Sequence, residues 1–235
     1  MTCGRKVGEF DCCTVSQVDS LGLSAILPQE SVDFVLTDPP YNIGKDYGDS
    51  VDDCKVADIW EKFKFDWVQL VSLVAKEKTH ISFTCSQKQI WEYRPLFEAQ
   101  GCVFRHVAVW HNPQRKAGSY PGMWPFSWEP IMDFTKGGFR KLNNSNGVGG
   151  MDVWIEVPPT GIKHPARRPV FCWENLVGLL SNPNEIVFDP FAGSGTTLVA
   201  AKKLGRHFLG FDIEPKYVEI ARQRLEEIPF SSELK

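Results

Sequence analysis

Three features of the 235-residue chain predict an α/β fold with a mainly parallel sheet, built as a single domain. Short apolar runs alternate with amphipathic stretches, as they do in strand–helix–strand units. Two of the apolar runs end directly in turns that carry an aspartate beside proline or glycine, at 38–41 and 189–195. Apolar residues form 43% of the chain and charged residues 23%, which is ordinary usage for a chain able to bury one core.

The first half of the chain contains four predicted strands and two predicted helices. A helix is predicted where apolar residues recur at helical spacing, as they do from Ile59 and Phe63 to Trp67 and Val71. The strands are predicted at 7–11, 32–37, 80–84 and 103–110, and the helices at 57–75 and 88–100. From 112 to 161 this regularity fails because Pro, Gly and Asn recur. That segment is interpreted as an insertion or a recognition surface.

The second half returns to alternating helices and strands. Helices are predicted at 168–180, 196–204 and 215–226, and strands at 185–188 and 208–211. The last helix has Pro215 in its first turn, where the missing N–H of proline breaks no intrahelical bond. This half supplies the strand–turn–helix unit that a ligand site in a parallel sheet requires.

Charge is unevenly distributed along the chain. The net charge is −3, but residues 102–172 hold nine Lys or Arg and four acidic residues, which makes this stretch +5 and the remainder −8. A basic middle inside an acidic frame indicates a contact surface for an anionic partner. Charge alone is equally compatible with an ordinary solvated face.

The composition excludes several classes of protein. No apolar run reaches membrane-spanning length, and the N-terminal residues lack the apolar core of a signal peptide. Seven Cys at irregular spacing, without a Cys-x-x-Cys pair, predict reduced thiols in a cytoplasmic protein. The five His do not have the spacing of a metal site, so no metal is predicted.

The stretch 185–196 is typical of a strand, a glycine turn and the start of a helix. Glycines let the backbone approach a ligand closely, and the first N–H groups of a helix can bind a carboxylate or phosphate. Asp212 lies 19 residues beyond Gly193, where a carboxylate accepts hydrogen bonds from ribose hydroxyls. This favours an adenosine-containing cofactor, with a plain strand–helix turn as the alternative. The candidate cofactor-binding residues here are Asp189, Phe191, Ala192, Gly193, Ser194, Gly195, Thr196 and Asp212.

A second motif, Asp38-Pro39-Pro40-Tyr41, directly follows the predicted strand at 32–37. It therefore lies at the carboxyl edge, where α/β sheets bind ligands. The two prolines fix the backbone and remove two N–H donors, so nearby carbonyls stay free to accept hydrogen bonds. With a carboxylate and a flat ring added, the motif suits a planar amino group, and these four residues are the catalytic candidates. The alternative is a turn that ends the strand and has no catalytic role.

In combination the two motifs resemble those of the S-adenosylmethionine-dependent DNA amino-methyltransferases, which modify adenine N6 or cytosine N4. Asp38-Pro39-Pro40-Tyr41 precedes Phe191-Ala192-Gly193-Ser194-Gly195 here, and this permuted order is similar to that of the family's β class. The stretches 127–137 and 204–210 also resemble family elements. The resemblance implies a Rossmann-like methyltransferase fold with a mainly parallel seven-stranded sheet, helices on both faces and circularly permuted motifs.

Further cofactor contacts are implied by the resemblance. Asp11 and Cys12 are similar to part of the family's N-terminal Gly-Asp-Cys, whose aspartate faces the cofactor adenine. His164, Arg168 and Pro169 match its His-Pro-x-x-Lys-Pro element, with Arg168 in place of the usual Lys. Asp212 stands where Glu is commoner. Asp38 is added to the same cofactor-binding set.

The resemblance also implies the activity and the partners. We expect methyl transfer from S-adenosyl-L-methionine to the N6 amine of an adenine flipped out of double-stranded DNA, in a bacterial or phage-encoded restriction-modification setting. A segment at about 113–162 is the expected target-recognition region. The expected DNA contacts are Arg115, Lys116, Arg140 and Lys141. No membrane partner is expected, and a homodimer is the assembly common in this class.

Three other functions stay open from the sequence. Cytosine-N4 methylation ranks second. Ser at the position of Asp38 is the pattern more often seen with cytosine, whereas this chain has Asp. An RNA or protein amino-methyltransferase usually places the glycine motif first, whereas here it comes second. A non-catalytic DNA-binding relative is disfavoured by the intact Asp38, Tyr41 and Gly193. Cytosine-C5 methylation is disfavoured because the chain has no Pro-Cys dipeptide.

Overall fold

The computed structural model describes residues 3–43, 56–114, 126–143, 152–157 and 168–229. The helices in these ranges are α1 (Ala57–Val74), α2 (Ile90–Ala99), α3 (Val170–Leu180), α4 (Thr196–Lys203) and α5 (Pro215–Glu226). Short 3-10 helices lie at Ser20–Ala25 and Gln87–Gln89. None of the helices in these ranges is long and apolar enough to cross a membrane.

The strands of the described ranges form one large sheet and one small hairpin. They are β1 (Lys6–Val7), β2 (Phe10–Asp11), β3 (Thr14–Gln17), β4 (Val32–Thr37), β5 (Ala75–Thr84), β6 (Cys102–His111), β7 (Trp128–Lys136), β8 (Val153–Ile155), β9 (Ile186–Asp189) and β10 (His207–Asp212). The sheet has the order β3-β10-β9-β4-β5-β7-β6-β8, and β1 pairs with β2 separately.

The sheet is mainly parallel, as predicted. Strands β3, β10, β9, β4 and β5 are parallel neighbours, whereas β7 is antiparallel to both β5 and β6. The described part of the sheet has eight strands rather than the expected seven. The additional one is the three-residue β8, which pairs in parallel with the outer side of β6.

Helices cover both faces of the sheet, so the central strands are buried on both sides and read as continuous apolar runs. On one face, α1 and α2 bury Trp67 and Phe97 against Val35 and Phe188. On the other face, α3, α4 and α5 pack side chains such as Trp173 against the alternate residues of the same strands. This arrangement leaves the two edges formed by the strand ends as the places where polar side chains can collect.

The structure corrects the prediction in two places. Residues 7–11, predicted as one strand, form the β1–β2 hairpin, because Gly8 takes a φ of 58° and turns the chain back. The segment 112–161, predicted to be irregular, contributes β7 to the interior of the sheet and β8 to its edge. Strand β7 is buried yet polar, with Glu129 and Asp133 among its inner residues, so its pattern does not resemble an apolar strand.

Candidate active site

The topology brings the two predicted motifs together. From β9 the chain passes through α4 to β10 on one side, and from β4 it passes through α1 to β5 on the other. Strands β9 and β4 are neighbours, and the connections that follow them lead in opposite directions along the sheet. The topological switch point, where open α/β sheets bind ligands, therefore lies between these two strands. Asp38 follows β4 and Asp189 ends β9, and the Thr37 hydroxyl donates a 2.6 Å hydrogen bond to Asp189 that joins the two strand ends.

Asp38 is the centre of a mostly buried polar network. Its Oδ1 atom accepts hydrogen bonds from Tyr41 Oη at 2.7 Å, from the Thr84 hydroxyl and from Arg168 Nη2, and its Oδ2 atom accepts one from Arg168 Nε at 2.6 Å. Arg168 also donates to Glu129 and to Tyr41 Oη. Two carboxylates therefore share one guanidinium, and 16% of the Asp38 side chain is exposed.

The network holds Asp38 as an anion. Burial alone would raise the pKa of this carboxyl, but the charge of Arg168 and the hydrogen bonds from Arg168, Thr84 and Tyr41 outweigh it, so the pKa lies below its usual range. Burial raises the pKa of the Tyr41 phenol well above its usual value, so this hydroxyl stays protonated and donates a hydrogen bond to Asp38. At neutral pH the site therefore offers a fixed negative acceptor, which can bind a hydrogen-bond donor such as an amine.

Thr84 and Glu129 are site residues that the sequence analysis did not single out as functional. Thr84 ends β5, the strand next to β4, so its hydroxyl faces the start of the Asp-Pro-Pro-Tyr turn. Glu129 lies at the start of β7 and is 5% exposed. A buried carboxylate needs a partner, so an acidic residue within a strand is the signal that would have pointed to Glu129.

The glycine turn has the backbone conformation that its composition predicts. Gly193 and Gly195 have φ values of 50° and 80°, which favour glycine. A Cβ atom on Gly195 would lie 2.8 Å from the Cβ of Ala221, so this glycine also allows α5 to pack against the turn. The Gly193 N–H donates to Asp212 Oδ2 at 2.8 Å. The turn and the end of β10 therefore form one unit.

Asp189 joins the glycine turn to β4 from a fully buried position. Burial raises the pKa of its carboxyl to about 7, although Thr37, Thr197 and the Phe191 N–H donate hydrogen bonds that favour the charged form. Near neutral pH the Asp189 carboxyl is therefore partly protonated, whereas the Asp38 carboxyl stays ionised.

Asp189→Asn is expected to make thermal stability less dependent on pH. Because the pKa is raised in the folded state, the protonated form of Asp189 stabilises the fold below pH about 4, and this contribution is lost as the pH rises to about 7. The melting temperature of the variant, relative to that of the unchanged chain, should therefore increase from pH 5 to pH 8. A pH-independent difference would exclude the raised pKa.

The structure does not place Asp11 and Cys12 with the other predicted cofactor residues. They precede β3 at its amino end, where the Cys13 N–H donates to the Phe208 carbonyl near the start of β10. The aspartate at the carboxyl end of β3 is Asp19, and the neighbouring Val18 N–H donates to the Asp212 carbonyl at 3.1 Å. The position of Asp11 argues against the predicted cofactor contact, and Asp19 becomes the candidate because β3 lies between the two aspartates.

Arg140 lies at the edge of the sheet opposite Asp38. Its guanidinium donates two 2.6 Å hydrogen bonds to Glu185, just before β9, and one to the carbonyl of Asp33 near the start of β4. This position argues against the predicted DNA contact of Arg140 and of its exposed neighbour Lys141. The remaining predicted residues Arg115, Lys116 and His164 lie outside the described residues.

The side chains at the carboxyl edge fit an adenosine-containing cofactor. A carboxylate has roughly four acceptor positions, and in the described structure the N–H groups of Gly193 and Glu214 bind one oxygen of Asp212 each. Burial raises the pKa of Asp212, although both of these N–H groups favour its charged form. Two ribose hydroxyls could donate to the remaining positions. Asp19 and the start of α4 add a second carboxylate and free helix N–H groups beside it.

A mainly parallel sheet whose switch point carries a glycine turn and an Asp-Pro-Pro-Tyr motif places the chain in the Rossmann-like α/β class. The N6/N4 family model, described as DNA methylase, matches residues 32–223, and the chain belongs to this family. This finding confirms the resemblance inferred from the motifs.

Comparisons with related proteins support the same family. The chain is 31% identical to the type II methyltransferase M.HpaI of Haemophilus parainfluenzae, over 85% of this chain and 70% of the relative. It is 29% identical to M2.DpnII of Streptococcus pneumoniae, over 87% and 85%. The crystal structure of an M1.HpyAVI–SAM complex has 23% identity and a TM-score of 0.72 over 90% of this chain and 98% of that one. The cytosine-N4-specific PvuII methyltransferase has 17% identity and a TM-score of 0.75 over 89% and 85%. The two structures confirm the fold.

Proposed function

We propose that the chain is a site-specific DNA methyltransferase that modifies the N6 amine of an adenine flipped out of duplex DNA. The observation that carries this proposal is the Asp38 carboxylate, which is ionised, mostly buried and placed at the switch point beside the glycine turn. S-adenosylmethionine is the cofactor and supplies an activated methyl group. The side chains of the protein bind and orient the two reactants.

An exocyclic amine is a poor nucleophile because its lone pair is delocalised into the ring. Hydrogen bonds from the amine to Asp38 and to the Pro39 carbonyl favour a pyramidal nitrogen and stabilise the positive charge that develops on it. Asp38 Oδ1 already accepts from Thr84, Tyr41 and Arg168, whereas Oδ2 accepts from Arg168 Nε. We therefore assign the amine to Oδ2, with Oδ1 as the anchored oxygen.

The target base has to enter a pocket in which Tyr41 is 6% exposed. The Arg168 guanidinium carbon lies 5.7 Å from the centre of the Tyr41 ring and 5.3 Å from that of the Trp110 ring. A flipped base can stack on Tyr41 only after neighbouring side chains move, and Arg168 contacts both rings. Rearrangement of Arg168 on base entry is therefore part of the proposal.

Adenine is preferred to cytosine on the identity of residue 38. Asp-Pro-Pro-Tyr is the pattern usually seen with adenine, and one relative with 25% identity is named DNA adenine methyltransferase YhdJ of Escherichia coli. The physics separates the two bases weakly, because both present an exocyclic amine and the same acceptors would serve either. Pocket size has to make the choice, since a flipped purine is larger than a pyrimidine.

Asp212→Ala is expected to weaken S-adenosylmethionine binding about ten-fold or more, because losing a hydrogen bond to a charged group costs roughly 1.5–3 kcal/mol. We assign the ribose to Asp212 and the adenine amine to Asp19, so Asp19→Ala should also weaken binding. Asp11→Ala is the matched control and should leave the dissociation constant within about two-fold. Calorimetry that finds the loss in Asp11→Ala instead would restore the original assignment.

The DNA contact is proposed from the basic stretch of the sequence. In the sequence, Arg115 and Lys116 are two adjacent cations shortly after β6. Strand β6 runs in the same direction as β5, so it ends at the edge of the sheet where Asp38 lies. Each phosphate contact contributes about one unit to the slope of the logarithm of the binding constant against the logarithm of the salt concentration. We therefore propose this pair, without Arg140 and Lys141, as the phosphate contacts.

Transfer of labelled methyl groups tests the proposed reaction. The chain is incubated with methyl-labelled S-adenosylmethionine and, separately, with amplified genomic DNA that carries no methylation, with RNA and with a protein mixture. Amplified genomic DNA offers all short recognition sites at once. We expect label in the duplex DNA alone. Labelled RNA or protein with unlabelled DNA would overturn the proposed substrate, and no label in any of them would overturn the activity.

A further inference from the structure

A cluster of two thiols and an imidazole lies at the edge of the sheet opposite the candidate active site. His207 is the first residue of β10 and is 4% exposed, and Cys13 immediately precedes β3. His207 Nδ1 lies 3.1 Å from Cys3 Sγ and 3.6 Å from Cys13 Sγ. One ligand atom from each of the three residues lies within 4.8 Å of the others. The cluster takes no part in the proposed methyl transfer.

These distances match the edges of a metal coordination polyhedron. Zinc binds thiolate sulfur at about 2.3 Å and imidazole nitrogen at about 2.05 Å, so a tetrahedral site separates S from N by about 3.6 Å and S from S by about 3.8 Å. The 3.6 Å between His207 Nδ1 and Cys13 Sγ equals the first of these values. The 3.1 Å to Cys3 Sγ is shorter and needs an outward shift of about 0.5 Å, which the partly exposed Cys3 can make.

The cluster holds more soft donors than one thiol–imidazole hydrogen bond requires. The Nδ1 atom of a neutral imidazole has one lone pair and can accept a full hydrogen bond from one thiol only, and Cys13 also forms a side-chain hydrogen bond with Cys3. A third thiol stands next to them, because the buried Cys12 contacts Cys3 through a side-chain hydrogen bond. Cys13 has a φ of 64°, which is uncommon for a residue other than glycine and turns the chain between the two adjacent cysteines. Soft donors thus converge from three parts of the chain.

We propose that Cys3, Cys13 and His207 bind a thiophilic divalent cation of the zinc class, with the Cys12 thiol or a water molecule as fourth ligand. Thiolate and imidazole donors select this class over magnesium or calcium, which prefer oxygen. The cation would fasten the β1–β2 hairpin and the start of β3 to the first residue of β10. The sequence did not predict it because the ligands are separated by 9 and 193 residues and have no short motif spacing.

Cobalt substitution in the reduced chain tests this site. The chain is stripped with a chelator, kept reduced with a phosphine and titrated with Co²⁺. We expect one strongly bound equivalent, with the absorption of tetrahedral cobalt and a thiolate charge-transfer band, displaced by Zn²⁺. Zn²⁺ should also raise the melting temperature, since it binds the folded state. Cys3→Ser, Cys13→Ser and His207→Gln should each weaken Co²⁺ binding by at least about tenfold.

Cys102→Ser is the matched control, because Cys102 is buried at the start of β6 beside Ser72 and away from the cluster. It should leave the cobalt spectrum unchanged. If Cys13→Ser fails to fold, Cys3→Ser decides, since Cys3 is partly exposed near the N-terminus. Absence of tetrahedral cobalt in the unchanged chain would overturn the proposal. So would a cobalt signal that persists in Cys3→Ser, or a Cys3–Cys13 disulfide in a chain that takes up no metal once reduced.

Discussion

Asp38→Ala is expected to abolish methyl transfer while S-adenosylmethionine binding stays within a few-fold. Removing one preorganised partner of a developing charge typically costs about 10²–10³ in kcat. Asp38 is the charged acceptor of the proposed site, so we expect a loss at or beyond the upper end. Its loss removes the negative acceptor, whereas the glycine turn and Asp212, to which we assign the cofactor, follow β9 and end β10.

The matched control is Asp66→Ala. Asp66 is a carboxylate on α1 that pairs with Lys62 near the surface, so its removal should cost about 0.3–0.5 kcal/mol in stability and nothing in activity. Single-turnover transfer rates and calorimetric dissociation constants are measured for both variants. Activity of Asp38→Ala within a few-fold of the unchanged chain would remove Asp38 from the mechanism.

Arg168→Ala is expected to have the largest effect on stability. It leaves the buried Asp38 and Glu129 carboxylates without the guanidinium that they share, and breaking a buried ion pair costs about 3–5 kcal/mol. For a chain of this size, each kcal/mol corresponds to roughly 2–4 °C, so the melting temperature should fall by about 10 °C. Transfer activity should fall as well, because the pKa of Asp38 would rise once the charge of Arg168 is lost.

Two further variants show whether the loss of stability comes from the contacts of Arg168. Arg168→Lys keeps the charge but loses the two-pronged contact with Asp38, so it should recover part of the stability. Arg94→Ala removes an exposed arginine that pairs with Glu98 on α2, and it should change the melting temperature by about 1–2 °C at most. Equal melting temperatures for Arg168→Ala and Arg94→Ala would show that the Arg168 network does not stabilise the fold.

Elements with a clear apolar pattern could be predicted from the sequence. The strand at 32–37 and the helix at 215–226 have the predicted bounds. Strand β7 could not, because Glu129, Pro130 and Asp133 interrupt its pattern, and the partners of the two acidic residues are far away in the chain. His80 and Ser82 on β5 provide the hydrogen bonds that allow Asp133 to be buried.

The candidate site likewise contains residues that local sequence predicts and residues that depend on contacts between distant parts of the chain. Short motifs pointed to Asp38 and Gly193 because their neighbours in sequence are also their neighbours in space. The contact of Arg168 with both Asp38 and Glu129 joins residues 130 and 39 positions apart, and the motif resemblance had placed Arg168 with the cofactor alone. The resemblance pointed to Asp11 and did not consider Asp19, because the short strand β3, which decides the edge at which each lies, was missed.

The identity of the modified nucleoside tests the central claim most directly. Amplified DNA is methylated with deuterium-labelled S-adenosylmethionine and digested to nucleosides, and the products are separated by mass spectrometry. An exocyclic amine bound to Asp38 should give N6-methyl-2′-deoxyadenosine as the main labelled nucleoside, and none in DNA treated with Asp38→Ala. N4-methyl-2′-deoxycytidine would overturn the adenine assignment and leave the amine mechanism in place, whereas 5-methyl-2′-deoxycytidine, a carbon-methylated product, would contradict the whole account of the site.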